Sequence, residues 1–111
     1  MSISHENHYD TLITNATVFD GSGSNALVQD VAISGDKIIA VGDMHKVFAD
    51  NIVDATGLVL APGFIDVHTH DDLEVIRNPD MLAKISQGVT SVIIGNCGIS
   101  ASPYVNDVAP P

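Results

Sequence analysis

The sequence predicts an α/β fold in two parts, and three observations lead to it. Residues 1–61 are short apolar runs separated by turns rich in Gly, Asp and Ser, the pattern of a β-rich module. The pattern changes at Pro62-Gly63, and residues 62–111 then read strand, loop, helix, strand, the order of a βαβ unit. The last of these strands, Val89 to Ile94 (VTSVII), is almost continuously apolar, as expected of a parallel strand covered on both faces.

The elements follow in order. Tyr9 to Phe19 (YDTLITNATVF) is rich in β-formers, and Asp20 to Asn25 (DGSGSN) is a turn cluster. Leu27 to Ile33 and Lys37 to Val41 are apolar runs on either side of Ser34-Gly35-Asp36, a hairpin signal in which Gly35 is free to take positive φ. Met44 to Asp50 reads as a short helical or irregular connection. Ile52 to Asp54 and Leu58 to Ala61 are two further strand pieces around a turn at Thr56-Gly57. Beyond Pro62-Gly63, Phe64 to His68 is a short apolar strand ending in polar residues. Pro79 to Gln87 reads as a helix with Asp80 in its first turn, Met81, Leu82 and Ile85 on its apolar side, and Gly88 as its stop.

The composition narrows the function classes. Hydrophobic residues make up 45% and charged residues 16% of the 111, a globular balance. Fourteen acidic residues against four basic ones give a formal net charge of −10, which argues against nucleic acid and anionic membrane as partners. Cys97 is the single cysteine, so no intramolecular disulfide forms, and a lone thiol fits a reducing compartment. The opening MSISHENHYD has neither a basic start nor an apolar stretch of signal-peptide type, and no apolar run approaches transmembrane length. A cytoplasmic protein is the expectation. A full (β/α)₈ barrel needs about 250 residues, and two parallel strands with one helix leave open edges. The sequence therefore reads as a fragment.

The chemistry concentrates at two strand ends. In an extended strand, Asp66, His68 and His70 point to one side, while Ile65 and Val67 point to the other. Two neutral imidazoles side by side form a metal chelate, and the ends of strands in α/β folds are where catalytic groups collect. A bare H-x-H is also a common pair of surface histidines; the flanks of PGFIDVHTH, a tight glycine and an apolar strand, favour the metal reading. Cys97 follows the last strand directly and is bracketed by Gly95 and Gly98. A βαβ crossover brings that strand end beside the first, so Cys97 is expected near His68 and His70, and thiolate with imidazole suits zinc. Against this stands the usual fate of a free cysteine, which is burial.

Other features carry less. Asp71 and Asp72 are candidates to hydrogen-bond the histidines from behind, with Asp66; at least one of Asp71 and Asp72 is expected to be a solvated loop acid. Gly21-Ser22-Gly23 lacks the lysine and following helix of a phosphate loop and reads as a turn. His5, His8 and His45 read as surface residues.

The chain resembles the amidohydrolase superfamily and, within it, the N-acyl-D-amino-acid deacylase (D-aminoacylase) family. The segments YDTLITNATVFDGSG, DVAISGDKIIAVG and VDATGLVLAPGFIDVHTHDD resemble that family's opening, and QGVTSVIIGNCGIS is the most discriminating match. The resemblance implies a β-sandwich over residues 1–61, closed by strands from both chain ends. It implies that residues 62–111 are strand 1, helix 1 and strand 2 of a metal-dependent (β/α)₈ barrel, incomplete in this chain, with the remaining barrel supplied by a missing C-terminal part. It further implies Zn²⁺ held by His68, His70 and Cys97, a small-molecule substrate, and hydrolysis of the amide of N-acyl-D-amino acids. The family also uses later histidines and a late aspartate as the catalytic group, beyond this sequence, so the isolated chain is expected to be inactive. Two alternatives stand beside this one. The first is an amidohydrolase acting on other substrates, such as a hydantoinase, a dihydroorotase or a deaminase. The second is a truncated β module with no catalytic role.

Overall fold

The strand His8–Val18 (β1) is the longest among the described residues and organises those up to Pro62. The computed structural model describes residues 8–44, 47–98 and 100. They fall into two units, divided between Pro62 and Gly63. The composition is mixed α/β, with strands dominating.

In the first unit β1 is paired along both edges. Leu27–Ser34 (β2) runs antiparallel to it, and Lys37–Gly42 (β3) runs antiparallel to β2. On the other edge, Phe48–Asp54 (β4) pairs parallel with the first half of β1 and Val59–Leu60 (β5) with the second half. The order is therefore β3-β2-β1-β4, with β5 continuing the β4 edge. The expected hairpin lies at Gly35, whose φ is +60°. The connection expected over residues 44–50 is shorter than the sequence pattern indicates. Phe48, Ala49 and Asp50 belong to β4, because the free edge of β1 accepts them in register opposite His8 and Tyr9.

Alternation of side chains places two apolar clusters on this sheet. Ala16, Val18, Val31 and Ala55 are buried together, with Ile13, Ile33 and Leu60 against them. Tyr9, Leu12 and Ala32 form the other cluster, with Ala40, Met44, Val47 and Ala49. The pairs Leu12↔Ala32 and Ile13↔Val31 are adjacent in register, so the clusters occupy opposite faces. Full burial of a side chain such as Leu12 contributes about 2 kcal/mol. Carboxylates fix the irregular points. A bulge between Ile13 and Ala16 puts Asn15 at φ +58°, a conformation Asn tolerates. Its N–H donates to Asp30 Oδ1 at 2.9 Å, and the other oxygen of Asp30 accepts the Met44 N–H at 3.1 Å.

The second unit is built from short pieces. Phe64–Asp66 (β6) pairs parallel with Val89–Val92 (β7), the pairing expected of a βαβ unit. Two one-turn helices lie between them, Glu74–Arg77 (α1) and Leu82–Ile85 (α2). The sequence pattern indicates one helix from Pro79, but Met81 takes φ +45°, a left-handed conformation, and the helix starts only after it. Helix α1 is the element the sequence pattern misses; Glu74 in its first turn and Arg77 in its last complement its dipole. The turn after α2 closes at Gly88, φ +77°, which lets the chain reverse into β7. No helix among the described residues is long and apolar enough to cross a membrane.

Candidate metal centre

Strand β6 stops at Asp66, two residues before the first histidine. His68 and His70 are therefore presented by the bend beyond the strand and not, as strand alternation predicts, by the pleat itself. The parallel register Ile65↔Ser91 and Asp66↔Val92 brings the ends of β6 and β7 side by side. Pairing continues past the strands: the Ile93 N–H donates to the Asp66 carbonyl at 2.8 Å, and the Thr69 N–H to the Ile93 carbonyl at 3.3 Å. The Asn96 side-chain amide donates to the Val67 carbonyl, tying the second loop to the first. Cys97 then sits in a turn flanked by Gly95 (φ +83°) and Gly98 (φ +73°), closed by a 2.9 Å bond from the Gly98 N–H to the Gly95 carbonyl.

These fastenings gather the three side chains singled out by the sequence. Cys97 Sγ lies 2.5 Å from His68 Nε2, and the rings of His68 and His70 are 6.0 Å apart at 54°. One donor atom from each of His68, His70 and Cys97 lies within 4.8 Å of the others, and all three residues are exposed. A tetrahedral zinc ion spaces imidazole nitrogen and thiolate sulfur by roughly 3.5 Å, so parting Cys97 from His68 by about 1 Å would give this cluster a suitable size. Two borderline nitrogens and one soft sulfur are also the donor types zinc prefers. The residues present fit the ion.

A polar network lies behind the cluster. Asp66 Oδ1 accepts the His68 N–H at 3.2 Å, and its Oδ2 accepts from Lys84 Nζ at 2.6 Å. Lys84 also reaches Asp71 Oδ2 at 2.9 Å and Thr69 Oγ1 at 3.3 Å, while the Thr69 hydroxyl donates to Asp71 Oδ2 at 2.5 Å. The Lys84 ammonium, followed by the His68 N–H, holds the Asp66 carboxyl below its ordinary value. The Thr69 hydroxyl and then Lys84 do the same for Asp71. Asp66 and Asp71 in turn raise Lys84. Asp72 is buried and accepts from Ser100 Oγ at 2.9 Å. Neither Asp71 nor Asp72 is thus the solvated loop acid expected of at least one of them.

Lys84, Thr69, Asn96 and Ser100 are the residues that sequence reasoning misses. For Lys84 a signal existed. The chain has only four basic residues, and just two, Arg77 and Lys84, lie beyond Pro62, where Asp66, Asp71 and Asp72 need partners. Elsewhere, His8 is exposed and paired with Asp50 at 3.1 Å, while His5 and His45 lie outside the described residues.

Short strands bring two imidazoles and a thiol to one end of a parallel pair, and comparison with known proteins shows the family. Residues 51–109 match the model of the Amidohydrolase family, more than half of the chain. The chain belongs to that family. Over 112 aligned residues it is 48% identical to a D-aminoacylase of Alcaligenes xylosoxydans xylosoxydans, covering 99% of this chain and 23% of the relative. It is 50% identical to an N-acyl-D-aspartate deacylase of the same organism over 85% of this chain and 19% of the relative. Among solved structures, the N-acyl-D-glutamate deacylase of Bordetella bronchiseptica, complexed with zinc and a phosphonate inhibitor, superposes with a TM-score of 0.81 at 42% identity, covering 87% of this chain and 20% of that one. A D-aminoacylase with a binuclear metal centre gives 0.82 at 46% identity, covering 93% and 22%. The chain spans about a fifth of the length of these relatives.

Proposed function

We propose that this chain carries the first metal ligands of a zinc-dependent hydrolase that cleaves the amide bond of N-acyl-D-amino acids. The observation that carries the reading is the gathering of His68, His70 and Cys97 donor atoms within 4.8 Å at adjoining strand ends. Likeness to relatives named as a D-aminoacylase and N-acyl-D-aspartate and N-acyl-D-glutamate deacylases supports the substrate class. In this reading His68 and His70 hold the ion from the first strand end and Cys97 from the second. Zinc bound there supplies Lewis acidity toward the substrate carbonyl and toward water.

The chain's own residues do the positioning. Asp66 braces the His68 backbone, and the glycines around Cys97 let its thiolate approach the imidazoles. The family resemblance assigns the proton-transferring carboxylate to a later aspartate outside this sequence; Asp66 and Asp71 are both engaged by Lys84. Residues 1–61 are read as one part of a β-sandwich and residues 62–111 as the opening of a (β/α)₈ barrel. Two apolar surfaces support this: the sheet face formed by Ile13, Val31, Ile33, Ile38, Val41 and Leu60, and the exposed Phe64, Ile65, Ile93 and Ile94 around the β6–β7 pair. An exposed thiol used as a ligand fits a reducing, cytoplasmic setting.

The test is turnover of the full-length protein on an N-acyl-D-amino acid, its L enantiomer and a cyclic amide. Hydrolysis of the D substrate at least a hundredfold faster than the other two is expected. Preference for the cyclic amide would instead place the protein with the hydantoinase-like relatives.

A further inference from the structure

We infer that Lys84 is a positioning residue for the candidate metal centre: its ammonium clamps the segment that carries both histidines and keeps two neighbouring carboxylates off the ion. The inference rests on the reading of His68, His70 and Cys97 as ligands. Its basis is the interleaving of the contacts. Lys84 Nζ meets Asp66 at 2.6 Å, Thr69 at 3.3 Å and Asp71 at 2.9 Å, so its acceptors precede, separate and follow His68 and His70. An ammonium has three protons to donate, and these three acceptors can use all of them.

The clamp adds to a sparse backbone ladder. Beyond Asp66 the histidines stand on a bend, exposed, and the segment is tied to the second loop by the Thr69 N–H on the Ile93 carbonyl and the Asn96 amide on the Val67 carbonyl. Lys84 reaches that bend from α2, the element leading through Gly88 into β7 and on to Cys97. One side chain therefore ties the helix to the histidine loop. Its charge has a second consequence. Asp66 and Asp71 are hard oxygen donors within a few residues of the imidazoles, and either could enter the coordination sphere of a cation. With Oδ2 of each engaged by Lys84, and Oδ1 of Asp66 taken by the His68 N–H, both carboxylates are held toward the ammonium, and the donors this segment offers an ion are two nitrogens and a sulfur. Thr69, which is itself buried, completes the arrangement by donating to Asp71.

The experiment compares the unaltered full-length protein with Lys84→Met, Asp71→Asn and the double variant. Zinc affinity is measured by competition with a chromophoric chelator, and the thiolate-to-metal band is recorded with Co²⁺ in place of zinc. Partners behind metal ligands typically change affinity about 10–100-fold. Each single variant should weaken zinc by that factor and alter the Co²⁺ band, and the double variant should lose no more than the worse single one, because both break one clamp. Folded Lys84→Met with unaltered affinity and band would overturn the inference, as would losses that multiply in the double variant. Should Lys84→Met not fold, Asp71→Asn, which keeps the shape of the carboxyl, carries the same test: unaltered affinity and band in it would overturn the inference. Absence of a thiolate band in the unaltered protein would instead sink the ligand assignment on which the clamp rests.

Discussion

The two units of this chain are held by different forces. In the first, seven hydrophobic residues from Tyr9 to Ala55 are buried across a five-stranded sheet, and the irregular points are corrected by carboxylates at the surface. In the second, the buried residues among those described are polar, Thr69 and Asp72, while Phe64, Ile65, Leu82 and Ile85 are each more than half exposed. The first unit is thus ordered by apolar burial and the second by hydrogen bonds and one ammonium. The lesson is that a site can be given its local geometry by a polar network before its apolar surroundings are covered. Hydrophobic burial is roughly proportional to area and non-directional, whereas charge-assisted hydrogen bonds specify direction.

Breaking each unit by its own means separates the two. The largest effect is expected from Cys97→Ala in the full-length protein: loss of bound zinc and a fall in turnover on the order of a thousandfold, read by metal analysis and kinetics. Amide exchange in β1 and β2 should stay as it was, since Cys97 is not a member of the apolar clusters that form that sheet's core. Next comes Leu12→Ala, which empties a position only 4% exposed and should cost about 2–4 kcal/mol, measured by denaturant unfolding and by faster exchange across β1 and its neighbours.

A smaller effect sharpens the picture of the second unit. A Cβ on Gly63 would lie 2.8 Å from the Cβ of Thr90, an atom that no side-chain rotation moves, so the β6–β7 pair must shift. Gly63→Ala should destabilise by about 1–3 kcal/mol and weaken metal binding by displacing the strand ends, whereas Gly63→Ala with Thr90→Gly should recover.

The smallest effect is electrostatic. Asp54 sits below its ordinary 3.8 because the Thr56 hydroxyl and then the Thr56 N–H stabilise the carboxylate. The sign follows from the depressed value: this stabilisation is present above pH 3.8 and is lost as pH falls through the lower folded value. Asp54→Asn should therefore flatten the acid limb of the unfolding curve by removing a small stabilisation at pH 7, while stability below the folded value stays as it was. Lys84 has the opposite sign. Its raised value means that its contribution is complete below 10.5 and is lost only at higher pH. Asp66 and Asp71 are depressed like Asp54, so the network is intact across neutral pH.

Much of this was legible in the residues. The hairpin at Gly35, the turn at Thr56-Gly57 and the parallel pair that brings Cys97 to the histidines all follow from local turn chemistry and from the right-handed crossover of βαβ units. Three things were hidden, each for a physical reason. Phe48 to Asp50 look like a connection because their strand character comes from the free edge of β1, a partner 40 residues away in sequence. The late start of α2 depends on a left-handed turn at Met81, a residue type that gives no hint of it. The role of Lys84 depends on tertiary placement, as its acceptors lie 13–18 residues upstream. Periodicity reads neighbours along the chain and is silent about such pairs.

The most direct measurement is zinc K-edge X-ray absorption of the full-length protein beside its Cys97→Ala variant. The result expected is a sulfur scatterer at about 2.3 Å with nitrogen at about 2.0–2.1 Å, and disappearance of the sulfur shell in the variant. A shell of nitrogen and oxygen alone, or the same spectrum from both proteins, would contradict the assignment of His68, His70 and Cys97 as the metal centre.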